Sequence, residues 1–435
     1  MQKPSFKEAS LFWLKLGFIS FGGPAGQVAI MHEYLVEKKK WISETKFLNA
    51  LNYCMVLPGP EAQQLATYTG WMLHGTMGGL VAGLLFVLPS MFILLGLTTL
   101  YVSFGAIPWV YALFSGLKPA IIAIVLLALY KIGKKSLLSY FHYLVAFTAF
   151  VCIFFFHIPF PIIILGALLS ALVLNVFYPK IFLDKSKNKT NEEADESVYY
   201  INKFTPQKDN FSWASIVKKL VVGCLLWLMP IVGLYFFTHD FIFWENLIVF
   251  FTKAALVTFG GAYAVLPYVA QVSVEKFHWL SNLQMMDGLA LGETTPGPLI
   301  MVLVFVGFMA AYNYHQSSLL MGSLGLFVTT FYTFLFCFLF IFIGAPFIEK
   351  SQGNKKIGQL LSLVSAAVVG VILNLTLYLG QAVLFPKHLS FSGLDFSSFL
   401  WIIVSFLALY HFKINMILWI AISAVFGLTH FLVLG

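Results

Sequence analysis

The sequence predicts an all-α polytopic membrane protein. Two homologous halves of inverted topology contain glycine- and proline-broken helices, and one linking transmembrane helix joins them. Of the 435 residues, 60% are hydrophobic and 10% are charged, a balance that water-soluble domains do not have. The apolar stretches are continuous, as in membrane-spanning helices of about 20 residues, and do not alternate as barrel strands do. A third observation is that residues 20–23 (SFGG) recur as residues 258–261 (TFGG).

This recurrence defines an offset between the two halves, from Ser20 to Thr258, which we call the first offset. Three further landmarks keep it: Lys15 with Lys253, Trp41 with Trp279, and residues 58–60 (PGP) with residues 296–298 (PGP). Agreement of several landmarks in one register indicates an internal duplication. Later in each half a larger, second offset applies, from Ala120 to Ala367 and from Ala123 to Gly370, which implies an insertion.

Thirteen apolar segments are candidates for spans, six in each half and one between the halves. In the first half they lie near residues 8–31, 47–74, 77–104, 108–131, 141–157 and 159–178. The predicted units are a first repeat (1–183), a cytoplasmic polar linker (184–213), a linking transmembrane helix (214–238) and a second, inverted repeat (239–435). If each half begins and ends on one side of the membrane, the extra crossing turns the second half upside down.

The lysine distribution supports this inversion, because short cytoplasmic loops are enriched in basic residues. With a cytoplasmic amino terminus, 21 lysines in loops and termini fall inside, and only Lys276 and Lys387 fall outside. Equivalent loops also exchange character. Residues 33–46 hold four lysines and their counterpart holds one, whereas residues 102–107 hold none and residues 346–356 hold three. We therefore predict a multi-pass protein of the cytoplasmic membrane with an external carboxyl terminus.

The net charge of +8 does not indicate a nucleic-acid partner, because all 26 basic residues are lysines. Base readout and bidentate phosphate binding favour arginine. The four cysteines lie scattered through apolar segments without CxxC spacing, and no HExxH or GxSxG motif occurs. We therefore predict no cofactor, no metal site and no enzymatic activity.

Glycine and proline interrupt the apolar pattern twice, at matching places in the two halves. Residues 21–24 (FGGP) and 259–261 (FGG) supply flexible backbone. The prolines around Gly59 and Gly297 enforce a break, because proline lacks an N–H and clashes with the preceding turn. In lipid such breaks are tolerated only beside protein or a water-filled cavity, and matching breaks in inverted halves are typical of a transporter's central site. The alternative is that the prolines only kink structural helices.

The breaks and nearby lysines favour an anion as the bound solute. A half-helix that starts at a break presents free N–H groups and the positive end of its dipole. Lys15 and Lys253 lie seven residues before the first glycine of their breaks. A charge at this depth normally faces a partner or a pathway, although snorkelling to the interface is an alternative. The predicted binding residues are Lys15, Gly22, Gly23, Gly59, Gln63, Lys253, Gly260, Gly261, Thr295 and Gly297.

Carboxylates flank the second break of each half. Glu61 directly follows residues 58–60, Glu293 lies just before the second PGP sequence, and Asp287 lies further upstream. Two roles are open for Glu61 and Glu293: counter-ions of the repeat-related lysines, or carriers of a coupling proton. We assign Lys118, which lies in another apolar segment, to the same coupling or counter-ion set.

These motifs resemble those of the chromate ion transporter family in its long, two-domain form. The resemblance rests on residues 21–24 (FGGP) and 57–64 (LPGPEAQQ) in the first half, and on residues 259–263 (FGGAY) and 292–298 (GETTPGP) in the second. The motifs cover both halves and are specific, whereas the other apolar helices fit many transporters. Arginine, which many oxyanion carriers use, is absent, and this predicts weak discrimination between chromate and sulfate.

The resemblance implies a secondary transporter that exports chromate, or a sulfate-like oxyanion, across the cytoplasmic membrane. Alternating access is the expected mechanism, with the anion bound near the midplane at the broken-helix ends. An anion channel, or a transporter of a different small anion, is the alternative, and the turnover rate distinguishes a channel. The lipid bilayer is the expected environment, and a homodimer is compatible with this interpretation.

Overall fold

The computed structural model describes residues 3–21, 23–105, 107–177, 196–202, 205, 212–238, 240–259, 261–350, 355–386 and 393–434. In these ranges the chain forms helices and one isolated β-bridge, between Ile42 and Ile201. The predicted all-α polytopic class is therefore confirmed. Within the same ranges, six helices are long and apolar enough to cross a membrane: Glu61–Phe104, Pro108–Ser136, Trp213–Phe237, Leu319–Gly344, Ser362–Leu384 and Met416–Val433.

The described part of the first half is a succession of α-helices joined by short connections. They are α1 (Phe6–Ile19), α2 (Gly23–His32), α3 (Glu44–Cys54), α4 (Glu61–Phe104), α5 (Pro108–Ser136), α6 (Tyr140–Phe154) and α7 (Phe160–Phe177). A π-helical turn, Glu33–Lys38, extends α2. The helix α8 (Trp213–Phe237) lies within one residue of each end of the predicted linking helix and packs against the second half.

The second half contains the same kinds of element. They are α9 (Phe241–Val257), α10 (Ala262–Ala270), α11 (Asn282–Thr294), α12 (Val302–Tyr314), α13 (Leu319–Lys350), α14 (Lys355–Leu384), α15 (Phe396–Tyr410) and α16 (Met416–Leu434). A π-helical turn, Gln271–Lys276, extends α10, and a 3-10 turn, Leu299–Met301, leads into α12. Together α12 and α13 correspond to α4, which is kinked at His74 and Gly75.

Apart from α4, the helices next to the predicted breaks are too short to cross a bilayer alone. With 14 residues, α1 is about 21 Å long, against about 30 Å for the hydrocarbon core. The predicted segments 8–31 and 47–74 are each interrupted, the first after Ile19 and the second between Cys54 and Glu61. The expected broken helices are therefore present in the structure.

Equivalent elements begin at the offsets that the sequence indicates. The two π-helical turns begin at Glu33 and Gln271, which the first offset relates. The helices α5 and α14 begin at Pro108 and Lys355, which the second offset relates. The element order supports an internal duplication. The opposite orientation of the two halves in the membrane stays a prediction.

The two halves exchange their last helices. In the first half, α6 and α7 pack against α14 of the second half, while α15 and α16 pack against α5 of the first. At the centre α5 contacts α14, and α4 contacts α13. One hydrophobic core therefore runs through both halves.

Part of the predicted polar linker is fixed to the first half. The backbone N–H groups of Tyr200 and Ile201 donate to the carbonyl oxygens of Lys40 (3.2 Å) and Trp41 (2.9 Å). The Ser43 N–H in turn donates to the Ile201 carbonyl at 2.8 Å, and the Ile201 side chain is buried. The turn after α2 thus holds residues 196–202, whereas most of the linker lies outside the described residues.

Gly370 marks a close approach between α6 and α14. A Cβ at this position would overlap the Ala146 carbonyl oxygen and lie 2.9 Å from Phe150 N. Both are backbone atoms, so rotation of a side chain cannot relieve the overlap. Gly370→Ala is therefore expected to push the two helices apart and lower the free energy of unfolding by about 1–3 kcal/mol. Thermal unfolding of the purified protein in detergent measures this loss.

Gly96 in α4 provides the matched control, because a Cβ there meets no atom within 4 Å. Gly96→Ala is expected to keep or raise the unfolding temperature, since alanine favours helix over glycine. Equal unfolding temperatures for the two variants would contradict the close packing of α6 on α14.

Candidate functional site

The four predicted breaks meet at the interface between the two halves. The Gly59 N–H donates to the Thr258 carbonyl at 2.7 Å, and the Gly297 N–H donates to the Ser20 carbonyl at 2.8 Å. The first offset, which relates Gly59 to Gly297 and Ser20 to Thr258, converts one of these crossed hydrogen bonds into the other. The PGP break of each half is therefore bonded to the glycine break of the opposite half.

Glycine is required at these breaks because the backbone has positive φ. The values are 72° at Gly23, 121° at Gly59, 95° at Gly261 and 97° at Gly297, in a region that other residues rarely adopt. A Cβ at Gly297 would also overlap Ser90 Oγ, and one at Gly59 would lie 2.8 Å from Cys337 Sγ. The second offset relates Ser90 to Cys337, so the close contacts at the two PGP breaks are equivalent.

A helix or helical turn begins directly after each break. The starts are Gly23 for α2, Glu61 for α4, Ala262 for α10 and Leu299 for the 3-10 turn before α12. The first N–H groups of a helix have no acceptor within that helix and carry the positive end of its dipole. Four such starts lie next to the crossed hydrogen bonds, where α1, α3, α9 and α11 also end.

Buried polar side chains surround the crossed hydrogen bonds. Gln27 Nε2 donates to the Gly297 carbonyl at 2.5 Å, Gln64 Nε2 donates to the Pro58 carbonyl at 2.7 Å, and Gln63 Nε2 donates to Thr67 Oγ1 at 3.1 Å. Some buried oxygens have no hydrogen-bond partner among the described residues: Ser20 Oγ, Gln27 Oε1, Gln63 Oε1, Gln64 Oε1 and Ser90 Oγ. Buried polar atoms normally have partners, so this centre has hydrogen-bonding capacity that the protein itself does not use.

Two buried carboxylates lie on α11, which leads to the second PGP break. Tyr263 Oη donates to Glu293 Oε1 at 2.6 Å, and Tyr101 Oη donates to Asp287 Oδ2 at 2.9 Å. Lys118 Nζ of α5 lies 3.6 Å from Asp287 Oδ1. The two carboxylates are six residues apart, which is about 9 Å along the helix axis.

The structure places the predicted counter-ion set as follows. Lys118 is buried and pairs with Asp287. Neither Glu61 nor Glu293 lies within salt-bridge distance of a lysine in the described part of the chain. Asp287 is therefore the counter-ion of Lys118, while both the counter-ion and the proton-carrier roles of Glu61 and Glu293 stay predictions.

The remaining predicted binding residues are not all at the breaks. Thr295 is buried there, and its hydroxyl donates to the Leu291 carbonyl at 2.6 Å. Gly22 and Gly260 lie outside the described residues. Lys15 and Lys253 are exposed.

Both exposed lysines point away from the core. The buried positions of α1, such as Phe12 and Trp13, lie on the opposite face from Lys15, which shares its face with Leu11 and Phe18. Lys253 likewise lies opposite the buried face of α9. Neither lysine forms an ion pair within the described part of the chain, and their role in anion binding stays a prediction.

Broken helices that meet at a buried polar centre in a helical membrane protein define a membrane transport protein. Residues 7–172 and 245–428 match the chromate transporter family. The chain belongs to the chromate transporter family, in its long form with one matching region in each half. The resemblance found in the sequence motifs is thereby confirmed.

Several relatives carry the corresponding names. The chain is 30% identical to a "Probable chromate transport protein" of Synechococcus elongatus over 384 residues, 87% of this chain and 85% of the relative. It is 29% identical to a chromate transport protein of Cupriavidus metallidurans over 383 residues, 87% and 83% of the two chains. A chromate transport protein of Pseudomonas aeruginosa is 29% identical over 381 residues, 87% and 82% of the two chains. No solved structure matches the chain.

Proposed function

We propose that the protein exports chromate, or a related oxyanion such as sulfate, across the cytoplasmic membrane by alternating access. The observation that carries this proposal is the pair of crossed hydrogen bonds, from Gly59 to Thr258 and from Gly297 to Ser20, that joins the breaks of the two halves. The names of the relatives from Cupriavidus metallidurans and Pseudomonas aeruginosa supply the substrate.

We place the anion at the helix starts around the crossed hydrogen bonds. The N–H groups at the starts of α2 and α10 are suited to oxyanion oxygens. Gln63 adds an amide N–H, since its side chain has two donor hydrogens and only one is directed to Thr67. Helix ends and amide groups stabilise an anion with partial charges and without a full positive charge. Such binding favours release of the anion, which a transporter requires.

The exchange of helices between the halves suggests which parts move. Because α6 and α7 pack on α14, and α15 and α16 pack on α5, these six helices form one body drawn from both halves. The second body contains the four breaks with α1 to α4 and α9 to α13. Rocking of one body against the other would expose the centre alternately to the two sides of the membrane.

Export is favoured by the charge of the substrate. With a negative cell interior, moving a dianion outward gains about 4.6 kcal/mol per 100 mV, at about 2.3 kcal/mol per charge. The membrane potential alone is therefore sufficient to drive efflux. A coupling proton, carried by Glu293 or Glu61, would add to this driving force.

Replacement of both exposed lysines tests where the anion binds. Because Lys15 and Lys253 lie on the exposed faces of their helices, we expect the Lys15→Ala, Lys253→Ala double variant to keep at least about half of wild-type chromate uptake. Snorkelling lysines can be replaced with little effect on a distant site. Loss of nearly all uptake by a well-folded double variant would instead place these lysines on the substrate pathway.

The proposed function itself is tested in inside-out vesicles. A lumen-positive potential is expected to drive uptake of radiolabelled chromate, and excess sulfate is expected to reduce it. Vesicles without the protein provide the background. A well-folded protein that moves no chromate at any potential would contradict the assigned substrate, and a conductance far above carrier turnover rates would favour a channel.

A further inference from the structure

A cavity of about 250 Å³ lies among α4, α5, α11 and α12. The residues of the crossed hydrogen bonds do not line it. Lys118 and Asp287 line it together with the hydroxyl-bearing side chains of Tyr101, Tyr111 and Tyr312. Asp287 precedes Glu293 on α11 by nearly two helical turns. The cavity therefore lies about 9 Å from the break centre along the axis of α11. The same helix therefore connects the cavity to the proposed transport centre.

The ion pair in this cavity is buried but loosely made. Lys118 is 6% exposed and Asp287 is 5% exposed. Their closest charged atoms are 3.6 Å apart, longer than a charge-assisted hydrogen bond. Asp287 Oδ1 has no hydrogen-bond partner among the described residues, and the Lys118 ammonium lies 5.1 Å from the Tyr111 ring centroid.

We propose that this cavity binds a small oxyanion at Lys118, and that Asp287 is a built-in competitor that displaces the anion by re-forming the ion pair. The proposal rests on the proposed transport function and deepens it by adding a second subsite. A buried lysine needs an anionic partner at all times. Asp287 supplies that partner when the cavity is empty, and the oxyanion supplies it when the cavity is filled.

The size and position of the cavity fit this role. Since a water molecule occupies about 30 Å³ of liquid, the cavity can hold a tetrahedral oxyanion and several waters. It is lined by Gly105, at the end of α4, and by Leu283 and Gln284, at the start of α11. In the predicted orientation both of these ends lie on the external side. The cavity is then the last subsite before release, and displacement by Asp287 speeds that release.

The competition depends on the protonation of Asp287. A neutral carboxyl group does not compete for Lys118, so anion binding is linked to proton uptake and weakens as the pH rises. Asp287 faces Lys118 and Tyr111 from α5, Tyr101 from α4 and Tyr312 from α12.

The other helices that contact α11 contribute few ionisable groups. On α14, Tyr378 donates to Asn282 Oδ1 at 2.5 Å, and its two lysines, Lys355 and Lys356, lie at the opposite end of the helix. On α16, His430 is the only ionisable residue. The 3-10 turn Leu299–Met301 contributes none.

The test measures binding of radiolabelled sulfate to the purified full-length protein between pH 6 and pH 8. Wild-type affinity is expected to fall by up to about tenfold per pH unit once Asp287 is ionised, since one proton is bound together with the anion. Asp287→Asn is expected to bind sulfate at least about tenfold more tightly than wild type at pH 8, with no such pH dependence. Its chromate transport should be slower, because release is no longer assisted.

The double variant Lys118→Gln, Asp287→Asn removes both charges and so leaves no unpaired buried ion. It is expected to bind sulfate at least about tenfold more weakly than Asp287→Asn, whereas Gly96→Ala, which lies outside the cavity, should match wild type. Equal affinity of the double variant and Asp287→Asn would overturn the proposal. A flat wild-type pH profile would also overturn it, and that measurement needs no variant to fold. If sulfate binds as expected but the protein transports no chromate, the proposed function is contradicted and the anion subsite is not.

Discussion

Gly297→Ala is expected to reduce chromate uptake into inside-out vesicles by about fivefold or more. The backbone at Gly297 has φ of 97°, where a side chain costs about 1–3 kcal/mol, and about 1.36 kcal/mol is tenfold in rate. The added Cβ would also overlap Ser90 Oγ. Shifting Gly297 would break its hydrogen bond to Ser20, one of the two bonds that join the halves.

A second substitution separates the steric effect from the backbone strain. Ser90→Gly removes the overlapping hydroxymethyl group, so the Gly297→Ala, Ser90→Gly double variant is expected to recover part of the lost uptake but not all of it. Gly96→Ala is the matched control, because its Cβ would contact nothing within 4 Å. Wild-type uptake by a folded Gly297→Ala protein would show that the crossed hydrogen bonds are not part of the transport cycle.

Glu293→Gln is expected to abolish the effect of a pH gradient on chromate accumulation while leaving potential-driven uptake. Glu293 is buried, accepts a hydrogen bond from Tyr263 at 2.6 Å, and is not paired with a lysine in the described part of the chain. Glutamine keeps the acceptor oxygen and cannot exchange a proton. In wild type, an acidic lumen should raise chromate accumulation by about tenfold per pH unit for each proton exchanged.

Tyr263→Phe controls for the hydrogen bond, because it removes the donor and keeps the carboxyl group. It is expected to retain the response to the pH gradient. If Glu293→Gln accumulated chromate like wild type under an acidic lumen, Glu293 would have a structural role and proton coupling through this residue would be ruled out.

The duplicated breaks are the part of the site that sequence reasoning can find. Glycine and proline act on the backbone directly, so their effect does not depend on which face of a helix they occupy. The offset that relates Gly59 to Gly297 also relates the two crossed hydrogen bonds. The pattern of breaks therefore predicts a meeting point of the halves, although it does not show that each break bonds to the opposite half.

The positions of the lysines illustrate why the rest is harder to predict. In a soluble helix the polar face is evident from the periodicity, but a helix in lipid has apolar residues on both faces. Around Lys15, buried Phe12 and exposed Leu11 are equally hydrophobic. Sequence alone therefore does not distinguish a lysine that faces the core from one that faces outward, and Lys118 is the one of the three intramembrane lysines that is buried.

Gln27 and the partner of Lys118 were not assigned to the site from the sequence. Gln27 bonds to Gly297, 270 residues away, and no repeat-related residue marks it, because its counterpart is Val265. The only available signal was an amide within an otherwise apolar helix. Asp287 is evident in the sequence as a carboxylate upstream of the break, but its pairing with Lys118 depends on the contact between α5 and α11, which neither offset encodes.

The exchanged terminal helices also affect how the chain is made. The contact between α5 and α16 is backbone to backbone, since a Cβ at Gly116 would lie 2.5 Å from Gly427 Cα. During synthesis α5 is inserted early, whereas α15 and α16 emerge last. The surface of α5 that these two helices cover therefore lacks them until residues 396–434 have been synthesised, and a chain that stops before Phe396 would leave this surface without α15 and α16.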